Sequence, residues 1–319
     1  LLVIPDIAWC LKPYLLEESG TIVFGPPGAG KSILLQAMAI CISQGWNGLF
    51  DVQRARPALW TNLERPPTSV ARREVQLMWA FNSNTLHSGV EYLHMRGHPL
   101  TAVLRKVKPW VQEHPDGVVF LDSVSRNQLG SLKEDEPAMK FIDLMGGLNG
   151  TWVGIAHSPR ADSSHLFGSI HFDAGADMVV QLTSETRAGG VLGIGLQVTK
   201  ANETSAGHFQ LYALEFGQNG LTAIRQAKES EFPELASNRK RSLVEQVIDY
   251  LKATRGQGAT VDDIMGNTDV KDSGNLSRLL NKPENPFTRL PAKRGYRDLW
   301  GLRHGPAEEQ QSGLDLPNG

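Results

Sequence analysis

Gly25-Pro26-Pro27-Gly28-Ala29-Gly30-Lys31-Ser32 lies between a strand-like run, Thr21 to Phe24, and an apolar helical run, Ile33 to Ser43. Glycines at these spacings let backbone N–H groups converge without Cβ hindrance, and a helix that starts directly afterwards turns its positive end toward the same point. The stretch therefore reads as a P-loop, with Gly25, Pro26, Pro27, Gly28, Ala29, Gly30, Lys31 and Ser32 forming a cradle for phosphates. Lys31 is expected to neutralise β- and γ-phosphates, and the Ser32 hydroxyl to hold Mg²⁺.

Three further runs read as buried strands that end in a polar residue. Ala58 to Leu63 leads into Glu64, Gly117 to Leu121 into Asp122, and Trp152 to Ala156 into His157. In an open parallel sheet, ligands bind at the carboxyl ends of the strands, so these three ends and the P-loop are expected to share one site. Asp122 is the candidate second Mg²⁺ ligand. Glu64, followed by Arg65 and two prolines, reads either as a water-polarising carboxylate or as a solvated loop acid. His157 reads either as a site residue or as a structural histidine.

The order and spacing, with Lys31 to Glu64 at 33 residues, Lys31 to Asp122 at 91 and Asp122 to His157 at 35, resemble the RecA-like ATPases. More narrowly they resemble the RepA-type and DnaB-related replicative helicases of plasmids, phages and archaea. The resemblance spans residues 1 to about 226. It includes Ile4-Pro5-Asp6, the lead-in Leu15 to Gly20, and the later run Gly168 to Val180, which has the Gly-Ser-Ile and Ala-Asp features of DnaB-type helicases. It implies an α/β core with a mostly parallel twisted sheet, ATP as the nucleotide, Glu64 as catalytic glutamate, Asp122 as Walker B acid and His157 as a γ-phosphate sensor. It also implies a hexamer with ATP between subunits. The family's trans-acting Lys-x-Arg pair falls on a turn between two strands, Ile194 to Lys200 and Gly207 to Phe216. Here the sequence is Lys200-Ala201-Asn202, so Lys200 is the candidate trans residue, and the arginine-finger position is an asparagine.

By the same resemblance the loops after Asp122 and His157 would face single-stranded DNA. Lys133 in the first is followed by the acidic run Glu134-Asp135-Glu136, and Arg160 in the second is the stronger candidate. Neither loop interleaves basic and aromatic residues as a stacking platform would.

From Ser242 the pattern is helical. Val244, Val247, Ile248 and Leu251 fall at i, i+3, i+4 and i+7, and Thr260 reads as the N-cap of a second helix. A third is expected over Ser273 to Leu280, then strands at Phe287 to Leu290 and Arg297 to Leu302 around the basic turn Pro291 to Gly295. Three helices and a β-hairpin look like a winged helix, a fold used for DNA binding and for protein docking alike. Arg278, Arg289, Lys293 and Arg294 are the candidate DNA contacts. The expected organisation is thus an ATPase domain over 1–227, a linker over 228–240, a winged helix over 241–304 and a disordered tail over 305–319.

Composition agrees with this division. The net charge of −2 conceals 13 Lys/Arg against 8 Asp/Glu over residues 239–304, which is +5 there and leaves −7 elsewhere. That asymmetry favours a nucleic-acid partner for the C-terminal part. Cys10 and Cys41 lack metal-ligand spacing and sit in apolar surroundings, as buried thiols in a reducing compartment would. No apolar run approaches membrane-spanning length, so a cytoplasmic protein without membrane partner is expected. Three functional readings follow: a hexameric helicase or single-strand translocase; an ATP-gated DNA switch such as a loader, initiator or partition-like regulator; and a small-molecule or nucleotide kinase, for which no arginine-rich lid is visible.

Overall fold

The computed structural model describes residues 6–303 except 86, 127–133, 160–165, 169, 238, 240–242, 284 and 291–298. Lys133, Arg160, Lys293, Arg294 and the tail beyond 303 lie outside the described residues. The chain forms two compact units, residues 1–240 and 241–319.

The first unit is built on a nine-stranded sheet. Its strands are β1 (Gly20–Gly25), β2 (Ala58–Asn62), β3 (Val90–His94), β4 (Val118–Asp122), β5 (Thr151–His157), β6 (Met178–Arg187), β7 (Val191–Ala201), β8 (Phe209–Gly217) and β9 (Gly220–Ala227). The spatial order is β9-β8-β7-β6-β1-β5-β4-β2-β3. The six strands from β6 to β3 run parallel, and β7, β8 and β9 add an antiparallel extension. The parallel strands are continuous apolar runs because both their faces are covered; every residue of β1, β2 and β4 is buried.

Helices α1 (Lys31–Gln44) and α2 (Pro67–Ala80) cover one face. Helices α3 (Leu100–Glu113), α4 (Asp135–Gly146) and α5 (Ile170–Gly175) cover the other. On α3, Leu100, Val103, Leu104, Val107, Trp110 and Val111 are buried at the spacing of a single helical face. The α1 helix differs: Leu34 through Ile42 are buried on all sides. A helix that is apolar all round must be enclosed, and the sheet supplies the enclosure by curling, so that β9 packs against α2. Gln76 Nε2 donates to Asn219 O at 2.8 Å, and Gln226 Nε2 to Leu49 O at 2.9 Å, which fixes this closure.

The stretch expected to be a linker is in large part folded onto the sheet. Glu229–Glu231 form a 3-10 turn and Pro233–Ser237 a short helix, α6. Phe232 and Leu235 give the reason, since both are buried against Leu211 and Ala213. The Phe232 ring fills the space above Gly193, where any side chain would collide with it. The β9 strand and the full lengths of β6 to β8 also exceed the strand pair that the sequence suggested.

The second unit has helices α7 (Leu243–Ala253), α8 (Val261–Gly266) and α9 (Ser273–Asn281) and an antiparallel pair, β10 (Phe287–Leu290) and β11 (Leu299–Leu302). Val247, Leu251, Ile264, Leu276, Leu280, Phe287 and Trp300 make its core. Thr260 caps α8 through a reciprocal pair of bonds with Asp263, and Asp272 caps α9 by accepting from Asn275 N at 2.7 Å. No helix among the described residues is long and apolar enough to cross a membrane.

Candidate nucleotide site

The P-loop joins β1 to α1. Gly28 and Gly30 have φ of +80° and +89°, left-handed values at which a side chain would be strained. Space above Gly28 is open, while Gly30 packs tightly on Ile194 and Leu192 of β7. One side of the loop is therefore seated on the sheet, and the other is left clear for a ligand's approach.

Lys31 is 5% exposed. Its ammonium donates to Gly25 O and Pro26 O, both at 2.7 Å, and lies 3.3 Å from His157 Nδ1. Burial lowers its pKa to about 8, although Asp122 and Glu64 favour the charged form. Ser32 Oγ donates to Asp122 Oδ1 at 3.3 Å. Asp122 is 2% exposed. Burial raises its pKa to about 6, aided by the Glu64 charge and opposed by Arg73, the Ser32 bond and Arg65. A hydroxyl beside a carboxylate is a hard-oxygen pair of the kind that suits Mg²⁺. Ser32 and Asp122 thus fit the ion that the P-loop implies.

Glu64 is positioned by two residues that the sequence did not single out. Ser123 Oγ donates to Glu64 Oε2 at 3.1 Å and shares a 2.8 Å bond with Ser125 Oγ. Asn62, fully buried at the end of β2, accepts from the backbone N–H of Glu64 at 3.3 Å and of Arg65 at 3.0 Å. Its amide donates to Arg65 O at 2.7 Å and lies 3.0 Å from His94 Nδ1. This is an Asx turn, and an asparagine two residues before an acid at a strand end is a sequence signal for it. Arg73, on α2, was also missed; Pro66-Pro67 marks the start of that helix. Its Nη1 is buried and without a hydrogen-bond partner, and its charge acts on Asp122, Tyr92 and Glu64.

The structure thus brings Lys31, Ser32, Glu64, Asp122 and His157 together at the carboxyl end of the parallel strands. Lys200 is placed elsewhere. Its ammonium donates to three carbonyls at the end of α5, Asp173 O at 2.7 Å, Ala174 O at 3.0 Å and Ala176 O at 2.6 Å. Next to it, Asn202 N donates to Asp177 O at 3.0 Å, while Asp177 Oδ2 accepts from Gly20 N at 2.8 Å. In the single chain Lys200 clamps α5, so a contact with a neighbouring subunit would require it to release three carbonyls. In the other unit, Arg278 is exposed on α9, and Arg289 lies over the Trp300 ring at 5.3 Å.

Residues 3–149 match the family described as AAA domain. This part of the chain is similar to that family. The match takes in the P-loop, Glu64 and Asp122, and it ends before His157 and the antiparallel extension of the sheet. A KaiC-like protein of the hyperthermophilic archaeon Pyrococcus horikoshii OT3 is a similar solved structure, 16% identical, with a TM-score of 0.48 over 69% of this chain and 94% of that one. No curated protein matches the chain. The chemistry that the arrangement of the site's side chains suits is phosphoryl transfer to water. The P-loop and Lys31 can hold phosphates, Ser32 and Asp122 a divalent cation, and Glu64 a water molecule.

Proposed function

We propose that the protein is an oligomeric, ATP-hydrolysing machine that acts on DNA, a hexameric replicative helicase or single-strand translocase of a plasmid, phage or other mobile element. The observation that carries the ATP-driven part is the convergence of Lys31, Ser32, Glu64, Asp122 and His157 from the P-loop and three strand ends. Glu64 takes the proton of the attacking water, and Lys31 stabilises charge on the phosphates. His157, beside Lys31 and directly before the loop that starts at Ser158, relays the state of the site to the DNA-facing loops. Support for DNA as partner comes from the resemblance to replicative helicases, from the basic excess of residues 239–304, and from three helices and a hairpin in the second unit. As a winged helix that unit would meet duplex DNA through Arg278, Arg289, Lys293 and Arg294.

A second reading is an ATP-gated switch on duplex DNA without unwinding. It is favoured by Asn202 at the finger position and by the engagement of Lys200 on α5. Steady-state ATP hydrolysis without DNA, with single strands and with duplex separates the two. Stimulation of about tenfold or more by single strands, with unwinding of a forked substrate, supports the motor. Hydrolysis indifferent to single strands, with ATP-dependent duplex binding, supports the switch.

A further inference from the structure

The turn that holds Glu64 also holds an arginine. Arg65 follows the candidate catalytic glutamate directly, and the fully buried Asn62 grips its backbone at both ends, accepting from its N–H at 3.0 Å and donating to its carbonyl at 2.7 Å. Main-chain geometry at Arg65 is thus as fixed as that of Glu64. Its side chain behaves differently: Arg65 is exposed, and among the described residues no hydrogen bond or ion pair holds the guanidinium. The backbone is thus fixed beside Glu64 while the guanidinium is left free to meet an incoming ligand.

Charge points the same way. Both Arg73 and Arg65 favour the charged form of Asp122, so the Arg65 charge is felt within the site. Arg73 is less free to swing toward a ligand, because it is partly buried on α2 with one guanidinium nitrogen enclosed. Meanwhile Asn202 carries no charge, and Lys200 is occupied by three carbonyls. A site built for phosphoryl transfer gains most from a guanidinium near the transferring oxygens, about 10³ to 10⁵ in rate.

We propose that Arg65 supplies, from the same chain as the P-loop, the guanidinium that meets the γ-phosphate during hydrolysis. The inference rests on the ATPase reading above. In the step, the water oxygen bonds to the γ-phosphorus and the bond to the bridging oxygen breaks, its electron pair leaving on ADP. The water proton passes to Glu64. Arg65 donates hydrogen bonds to the oxygens that gain charge and transfers no proton itself.

The test is steady-state ATP hydrolysis by the full chain and by its R65A and R65K variants, with R65A also assayed in added guanidinium chloride and mixed with K31A. The expected result is a kcat about 10³-fold lower in R65A with KM within about threefold, and recovery of about tenfold by guanidinium ion. R65K should remain far below wild type, since an ammonium lacks the planar fork. Mixtures of R65A with K31A should be no faster than R65A alone, because an arginine acting within its own subunit cannot be lent to a neighbour. Unchanged kcat in R65A, a change confined to KM, or recovery in the mixture would each overturn the proposal. A wild-type chain that does not hydrolyse ATP would overturn the ATPase reading and this inference with it. A hydrolysing wild type beside an equally active R65A overturns this inference alone.

Discussion

Ser32 Oγ and Asp122 Oδ1 are 3.3 Å apart across 90 residues of chain. That distance ties the first turn of α1 to the end of β4 and pairs the two oxygens that would hold a divalent cation. D122N keeps the shape but removes the charge, so turnover should fall by about 10² or more while the rest of the site stays in place. The comparison of Mg²⁺ dependence between wild type and D122N checks this; an unaltered dependence would place the ion elsewhere.

Two buried charges at the site oppose folding. The folded pKa of Asp122, about 6, lies above its ordinary value of 3.8, so the native state binds more protons than the unfolded chain between those limits. Stability should therefore fall as pH rises from about 4 to about 6. Lys31, lowered from 10.5 to about 8, binds fewer protons when folded, so its contribution should rise again between pH 8 and 10.5. In consequence D122N should be more stable than wild type at pH 8 without nucleotide, by about 1–3 kcal/mol, and should lose that advantage near pH 4. Thermal melts across pH measure both arms, and a D122N protein less stable than wild type at pH 8 would contradict this account.

Asn62 and Ser123 should separate chemistry from binding. S123A removes one bond to Glu64, and kcat is expected to drop about tenfold with little change in nucleotide affinity. N62A should cost more, because the N–H groups of Glu64 and Arg65 and the carbonyl of Arg65 lose their partner. About 1–3 kcal/mol of stability should go with the activity. Denaturant melts beside kcat and KM would check this, and an N62A protein with wild-type stability would show that water replaces the amide.

Lys200 is expected to protect α5. In K200A the carbonyls of Asp173, Ala174 and Ala176 lose their donor, so amide exchange over residues 170–177 should accelerate in the isolated chain. An effect confined to ATP turnover in the oligomer, with exchange unchanged, would mean that Lys200 serves the neighbouring subunit instead.

Phe232 belongs to the folded unit. F232A should cost about 3–5 kcal/mol, the usual range for a large aromatic removed from a core, and a chain ending at residue 227 should be destabilised to a similar degree. A truncated chain that melts with wild type would restore this stretch to the role of spacer.

The core was legible where local signals and strand ends coincide. A glycine-rich turn between an apolar strand and an apolar helix has few other solutions, and runs such as Val118 to Asp122 advertise both their burial and their polar end. What the sequence did not reveal is made by contacts distant along the chain. Phe232 and Leu235 sit in a polar stretch whose composition suggests a spacer, and only the gap over Gly193 explains them. The clamp made by Lys200 depends on where α5 ends, which periodicity over six residues cannot fix. Asn62 and Ser123 flank the recognised acids, yet their bonds become apparent only once β2 and β4 are neighbours.

The enclosure of α1 constrains how the protein can work. Leu34 through Ile42 are buried by the sheet, by α2 and by the closure at β9, so this helix has no free side along which to slide or tilt. The P-loop is thereby a stationary anvil. On the proposed ATPase reading, any movement coupled to turnover has to arise outside α1, and its recoil is borne by a helix that cannot yield.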